Sequence, residues 1–225
     1  MISESFGDPN PAAPPGVEGR CPHFVVERFL GDAVVQQLLT HVDRRRAEFM
    51  PATVYRQQGQ ADIADVESRN CLRLAQIGPF ESGIRTEIQR VLPTALMKLG
   101  LLDRQVIARE FEFCAYGHGG HFRAHHDILP HGRPRIVSCV YYFFREPAGF
   151  TGGELRLYGW PSPKASAAQD LPWIDIPARC DNLVIFPSGL KHEVRPVVLP
   201  SGDWGHHRFT INCWAYRPKG AGGTG

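Results

Sequence analysis

The pattern of apolar positions changes period partway along the chain. In "GDAVVQQLLTHVDRRRAEF", Val34, Val35, Leu38, Leu39 and Val42 recur at three-to-four spacing, the stripe of an amphipathic helix. Asp32 near its start and arginines in its last turn suit the helix dipole. "ESGIRTEIQRVLPTALMKLG" repeats the pattern through Ile84, Ile88, Val91, Leu92, Leu96 and Leu99. Pro93 is expected to kink or split this second helix. From residue 105 the texture turns to short β-type runs punctuated by Gly and Pro: "VIAREFEFCAY", "RIVSCVYYFF", "GELRLYG", "WIDIPA", "NLVIFP", "HEVRPVV" and "RFTINCWAY". Such runs predict a sandwich or barrel, with the helices as a layer whose apolar faces need a sheet to cover.

The expected class is therefore α+β, mainly β. Residues 1–20, rich in Pro and Gly, read as a disordered lead, and the segment 218–225 as a flexible tail. Between them, residues 21–217 read as one domain, with helical support over 21–104 and a β core over 105–217.

Composition narrows the function classes. Of 225 residues, 43% are hydrophobic and 21% charged, which describes a globular protein with enough material for a core. The net charge is +2 and basic residues are spread among acids. Neither a nucleic-acid footprint nor an anionic membrane surface is suggested. No apolar run approaches the roughly 18 residues that span a bilayer, and the first residues lack the order of a secretory peptide. Cytoplasmic residence is the default expectation. The six cysteines are scattered without a CxxC pair, so free buried thiols are expected rather than disulfides or a zinc site.

The chemistry concentrates in "CAYGHGGHFRAHHDILPHG", where five histidines fall within fourteen residues. Alternate residues of an extended segment face one way, so His125 and Asp127 project together and His126 points away. His192 in "GLKHEVRPV" offers a third ligand from another β run. Two imidazoles and a carboxylate on one face of an ion suit non-haem Fe(II). H-x-D alone is a weak signal in a chain with ten histidines. His118, His121, His206 and His207 read as loop residues. Phe111, Phe113, Phe143, Phe144 and Phe186 read as core, and Gly152 and Gly153 as a close backbone approach or bulge.

The wider pattern is more specific. "YGHGGHFRAHHD", "VSCVYYFF", "FTGGELRLYG", "DNLVIFPSGLKHEVRPV" and "RFTINCWAY", in that order over about residues 105–217, resemble the 2-oxoglutarate/Fe(II)-dependent dioxygenases of the prolyl 4-hydroxylase type. The resemblance implies a double-stranded β-helix (a jelly roll, cupin-like) with the helices packed on one sheet. It implies Fe(II) held by His125, Asp127 and His192, with 2-oxoglutarate and O2 as cosubstrates; it also admits ascorbate. Arg208 matches the residue that pairs with the distal carboxylate of 2-oxoglutarate, a task suited to the planar guanidinium fork. Tyr142 matches a tyrosine reaching the same carboxylate, with Tyr141 facing the other way. Tyr116 matches another pocket tyrosine, and Asn212 is expected to point inward with Trp214 after it. Arg208 follows His192 by sixteen positions, further than in many relatives. The loop "LPSGDWGHH" is expected to absorb the excess, leaving Arg195 as the rival. A carboxylate at position 127, where related halogenases carry a small residue, points to hydroxylation or, less often, desaturation or ring closure.

The implied reaction hydroxylates an unactivated C–H bond of a peptidyl or free amino acid, with succinate and CO2 as co-products. The expected partner is a peptide, protein or small-molecule substrate. A natural-product tailoring oxygenase, a cupin-like metalloenzyme without 2-oxoglutarate and a non-catalytic β-helix binding module are the alternatives. Specificity is expected in residues 50–80, a candidate lid, and in 128–134 and 159–172. There His131 or Arg133 could meet a substrate carboxylate or phosphate, and Trp160 and Trp173 could form a rim.

Overall fold

The computed structural model describes residues 19–54, 63–101, 105–128, 135–160 and 171–218. The expected disorder of residues 1–18 and 219–225, together with His131 and Arg133, lies outside the described residues.

Alternation builds two facing antiparallel sheets. The larger has the order β1 (Phe24–Val26), β13 (Leu183–Pro187), β9 (Arg135–Phe143), β16 (Arg208–Tyr216), β7 (Ile107–Tyr116), β6 (Leu72–Leu74), β2 (Met50–Pro51). The smaller runs β12 (Trp173–Ile176), β11 (Leu155–Tyr158), β14 (His192–Val194), β8 (His121–His125), β5 (Arg69–Asn70). Two short antiparallel ladders, β3 (Thr53–Val54) with β4 (Ile63–Ala64) and β10 (Thr151–Gly152) with β15 (Val197–Val198), stand beside them. This is the jelly-roll arrangement: two sheets with an apolar layer between them that includes Tyr116, Tyr142, Leu157, Phe186 and Val197.

Helices α1 (Asp32–Arg44) and α2 (Glu81–Lys98) cover the outer face of the larger sheet. Val35, Leu38, Leu39 and Val42 of α1 are buried there, each worth roughly 1.5–3 kcal/mol. They meet Tyr141, Phe143, Phe209 and Ile211 from the outward parity of β9 and β16. Pro93 neither ends nor splits α2, which runs unbroken through it. Both Pro93 and Gln89, whose carbonyl loses its helical donor there, are exposed, so water can satisfy the freed group.

The expected separation of a helical half from a β half needs correction. Segment 21–104 contributes β1, β2 and β6 to the larger sheet and β5 to the smaller. These strands are two or three residues long, too short to show a period. The loop before β16 is also more than slack. It folds into a 3-10 turn, Trp204–His206, capped by Asp203, and Trp204 packs edge-on against Phe49 and Phe209 in the helix-covered core. All six cysteines are free thiols.

Candidate active site

The inner face of the larger sheet sorts its side chains by parity. β16 turns Arg208, Thr210 and Asn212 inward. Its register sets Arg208 opposite Tyr116, Thr210 opposite both Cys114 and Tyr142, and Asn212 opposite Glu112. Arg208, Thr210, Asn212, Tyr116 and Glu112 line a cleft of about 960 Å³ between the sheets, together with His125, Asp127 and His192 from the smaller sheet's side.

The three expected metal ligands meet. Their ligand atoms lie within 4.8 Å of one another. β14 and β8 pair out of step, His192 opposite His125 but Val194 opposite Phe122. The resulting bulge turns Phe122 to the same side as His125, and their rings stack with centroids 3.5 Å apart. Asp127 lies just beyond β8 and is anchored by its N–H to the Ser188 carbonyl, 3.0 Å. His126 borders the cleft without joining the cluster.

Both imidazoles are aimed by their far nitrogens. His125 Nδ1 bonds the Arg123 carbonyl at 2.7 Å and His192 Nδ1 the Leu190 carbonyl at 2.8 Å. A carbonyl only accepts, so Nδ1 carries the proton and the Nε2 lone pair is free. Those Nε2 atoms lie 3.6 and 3.4 Å from the Asp127 carboxylate oxygens. Burial, helped by His192, pushes His125 down to about 4, so it is neutral at physiological pH. Burial alone would raise Asp127, but His192 and His125 hold it well below the usual carboxylate range. The Ser138 hydroxyl donates to Asp127 Oδ2 at 2.6 Å and sits 2.9 Å from Ser188 Oγ. Phe186 closes edge-on against His192. Two oriented imidazoles and one ionised carboxylate form a donor set that fits Fe(II) with positions left open.

Deeper in the cleft, Arg208 is fully buried and none of its three guanidinium nitrogens has a hydrogen-bond partner. Its guanidinium lies 4.9 Å from each of the Tyr116 and Tyr142 rings, and the Tyr142 hydroxyl is also unpartnered. A buried cation without a counter-charge costs several kcal/mol or more, so the arrangement is suited to receive an anion. Burial raises both phenols, against the opposing pull of Arg208, so each stays protonated and able to donate. Gly153 makes the room: a Cβ there would stand 2.7 Å from Arg208 Cδ, and its φ of 71° is one that glycine adopts freely. Arg195 is 41% exposed on an ion pair with Glu193 and is absent from the cleft wall. Tyr141 faces the helices, as expected.

Asn212 is inward but tied to the wall. Its amide lies 3.4 Å from Glu112 Oε1 and 3.3 Å from Cys114 Sγ, and it accepts from Thr210. Trp214 also lines the cleft, under the Arg135 guanidinium. The proposed tryptophan rim is not there. Trp160 is buried between the sheets, and Trp173 is 52% exposed with Arg156 stacked on it; neither borders the cleft. Of the candidate lid, Thr53, Val54, Ser68, Arg69 and Arg73 form part of the wall, and residues 55–62 lie outside the described set.

Sequence reasoning missed Ser138 and the buried Arg69–Glu112 pair. Both left a signal: Ser138 shares the parity of Tyr142, and Glu112 shares that of Tyr116, so each is a polar residue on an inward-facing position.

Residues 111–216 match the sequence profile of the 2OG-Fe(II) oxygenase superfamily. An uncharacterized PKHD-type hydroxylase of Synechocystis sp. is 28% identical over 190 residues, 84% of this chain and 61% of that protein, so the chain spans about three-fifths of that relative's length. Among solved structures, a Pseudomonas putida prolyl-4-hydroxylase superposes with a TM-score of 0.62 at 23% identity, covering 88% of this chain and 93% of its own. A Trichoplax adhaerens prolyl hydroxylase, solved with a hypoxia inducible factor peptide fragment, gives 0.61 at 17% identity over 88% and 84%. At these identities the structures establish a shared fold.

Proposed function

We propose that the chain, whose residues 111–216 match the 2OG-Fe(II) oxygenase superfamily, hydroxylates an unactivated C–H bond of a peptidyl or free amino acid, as prolyl hydroxylases do. Fe(II), 2-oxoglutarate and O2 come with the family. The observation that carries the reading is the unpartnered Arg208 guanidinium in the same cleft as the converging His125, Asp127 and His192.

His125, Asp127 and His192 would hold the metal, and Arg208 with Tyr142 the far carboxylate of 2-oxoglutarate. When bound, that pair supplies the oxidising power for hydroxylation, consuming O2 and releasing succinate and CO2. The chain's own work is positioning and exclusion of water. The Arg123 and Leu190 carbonyls fix which imidazole nitrogen faces the ion. Ser138 fixes the Asp127 carboxylate by donating to Oδ2. The fork of Arg208 offers parallel N–H donors, and the flanking aromatic rings keep the chamber dry, where a charge-assisted bond is strong. Tyr142 adds one O–H donor. Tyr116 closes the other side of the guanidinium, and Asn212 lines the approach above it.

The test is a screen of peptides and free amino acids for a mass gain of one oxygen, with succinate release measured in parallel. Product that forms only when Fe(II) and 2-oxoglutarate are both present supports the reading. Oxygenated product formed without 2-oxoglutarate would favour a cupin-like enzyme instead.

A further inference from the structure

At the level of the metal ligands, one wall of the cleft carries charge that the reaction above does not use. Glu112 is 5% exposed and takes two arginines: Arg69 Nη2 at 2.7 Å and Arg73 Nη1 at 3.3 Å. Two guanidiniums on one carboxylate leave a positive charge over. The other charged residues described on this wall are matched: Arg135 by Glu110, Arg123 by Glu67, and Glu81 by Arg85. Asp127 and Arg208 are committed to metal and cosubstrate. The surplus therefore sits at Arg69 and Arg73.

Neither arginine is saturated, although Arg69 also donates to the Thr53 carbonyl at 3.5 Å and to Cys114 Sγ at 3.3 Å. The Arg69 side chain is 9% exposed, and its buried Nε has no hydrogen-bond partner. Arg73 contacts Glu112 through one nitrogen only and is 35% exposed on the cleft. The pair is also close to the chemistry. The Arg69 guanidinium lies 4.8 Å from the Phe122 ring centre, and that ring stacks directly on the metal-facing His125. One aromatic ring thus separates this charge from a metal ligand.

We propose that Arg69 and Arg73, braced by Glu112, form a binding site for a carboxylate on the substrate, so the reaction takes an acid whose carboxylate lies a few bonds from the C–H that is attacked. The inference rests on the hydroxylase reading. A free or N-acylated amino acid and the C-terminus of a peptide present the same group. An internal peptide residue or a primary amide does not.

The test uses the full chain with Fe(II) and 2-oxoglutarate under anaerobic conditions. A panel of N-acetyl amino acids, their primary amides and short peptides with free or amidated C-termini is titrated, with binding read by calorimetry. The best acid is expected to bind about ten- to a hundredfold more tightly than its amide, the usual worth of a charged hydrogen bond. Arg73→Gln should bring that ratio close to one, while Arg73→Lys keeps most of it; thermal midpoints confirm that both variants fold. Which acid arm responds, N-acylated amino acid or peptide terminus, names the source of the carboxylate. Equal binding of acid and amide, an unchanged ratio in Arg73→Gln, or binding by neither would overturn the proposal. Repeating the titration without metal separates the two readings: an Arg73-dependent acid preference there keeps this inference even if iron-dependent turnover fails.

Discussion

Tyr141 and Tyr142 are neighbours on β9, and they show what divides the two faces of the larger sheet. Tyr141 points at the helices, and its hydroxyl donates to Asp181 at 2.8 Å. Asp181 also takes the N–H groups of Leu30 and Gly31 at the start of α1, so the phenol and both N–H groups are partnered. Tyr142 points between the sheets, where its hydroxyl and the Arg208 guanidinium have none. Evolution rarely leaves buried polar groups unsatisfied without reason. Among the described residues the outer face leaves one buried side-chain polar atom unpartnered, Trp204 Nε1, whereas the inner face leaves a whole guanidinium and a phenol.

Breaking the inner face at the metal should have the largest effect on activity. Asp127→Ala is expected to lower 2-oxoglutarate turnover by orders of magnitude, measured as succinate release; near-normal release would remove the triad from the account. Breaking the outer face instead should cost stability. Phe143→Ala deletes a fully buried ring among Tyr141, Phe113 and Phe209, and a loss of about 3–5 kcal/mol is expected in denaturant unfolding. Arg208→Met sharpens the contrast, because it removes an orphaned charge and keeps an apolar volume. The unfolding midpoint of the unliganded chain should rise while 2-oxoglutarate affinity falls roughly ten- to a hundredfold. A drop in both would make Arg208 a structural residue.

How much of this was legible in the chain follows from what each position needs. Alternation along "RFTINCWAY" and "RIVSCVYYFF" is long enough to assign faces, so Arg208 and Tyr142 could be placed inward and Tyr141 outward. The four-residue rhythm of α1 and α2 survived even Pro93, because the lost bond falls on the solvent side. Nothing local marks β5 or β6, which exist because β8 and β7 offer them an edge. Arg69 looks solvated in sequence, and only its partner forty-three residues on makes it a buried group. Phe122 meets His125 through a bulge, which alternation does not reveal.

Three gentler changes refine the comparison. Ser138→Ala frees the Asp127 carboxylate and should weaken iron affinity by roughly ten- to a hundredfold, read by metal titration. Tyr141→Phe and Tyr142→Phe form a matched pair. The first should cost about 1 kcal/mol of stability and leave 2-oxoglutarate binding alone; the second should do the reverse, weakening 2-oxoglutarate by several-fold.

The most direct measurement is an anaerobic titration of Fe(II) and then 2-oxoglutarate, followed by the visible absorption band that arises when a keto-acid chelates ferrous iron. One iron per chain, a band that saturates with 2-oxoglutarate, its loss in Asp127→Ala and a much higher saturating concentration in Arg208→Ala are the predicted results. A band that survives Asp127→Ala, or saturates at the same concentration in Arg208→Ala, would contradict the account.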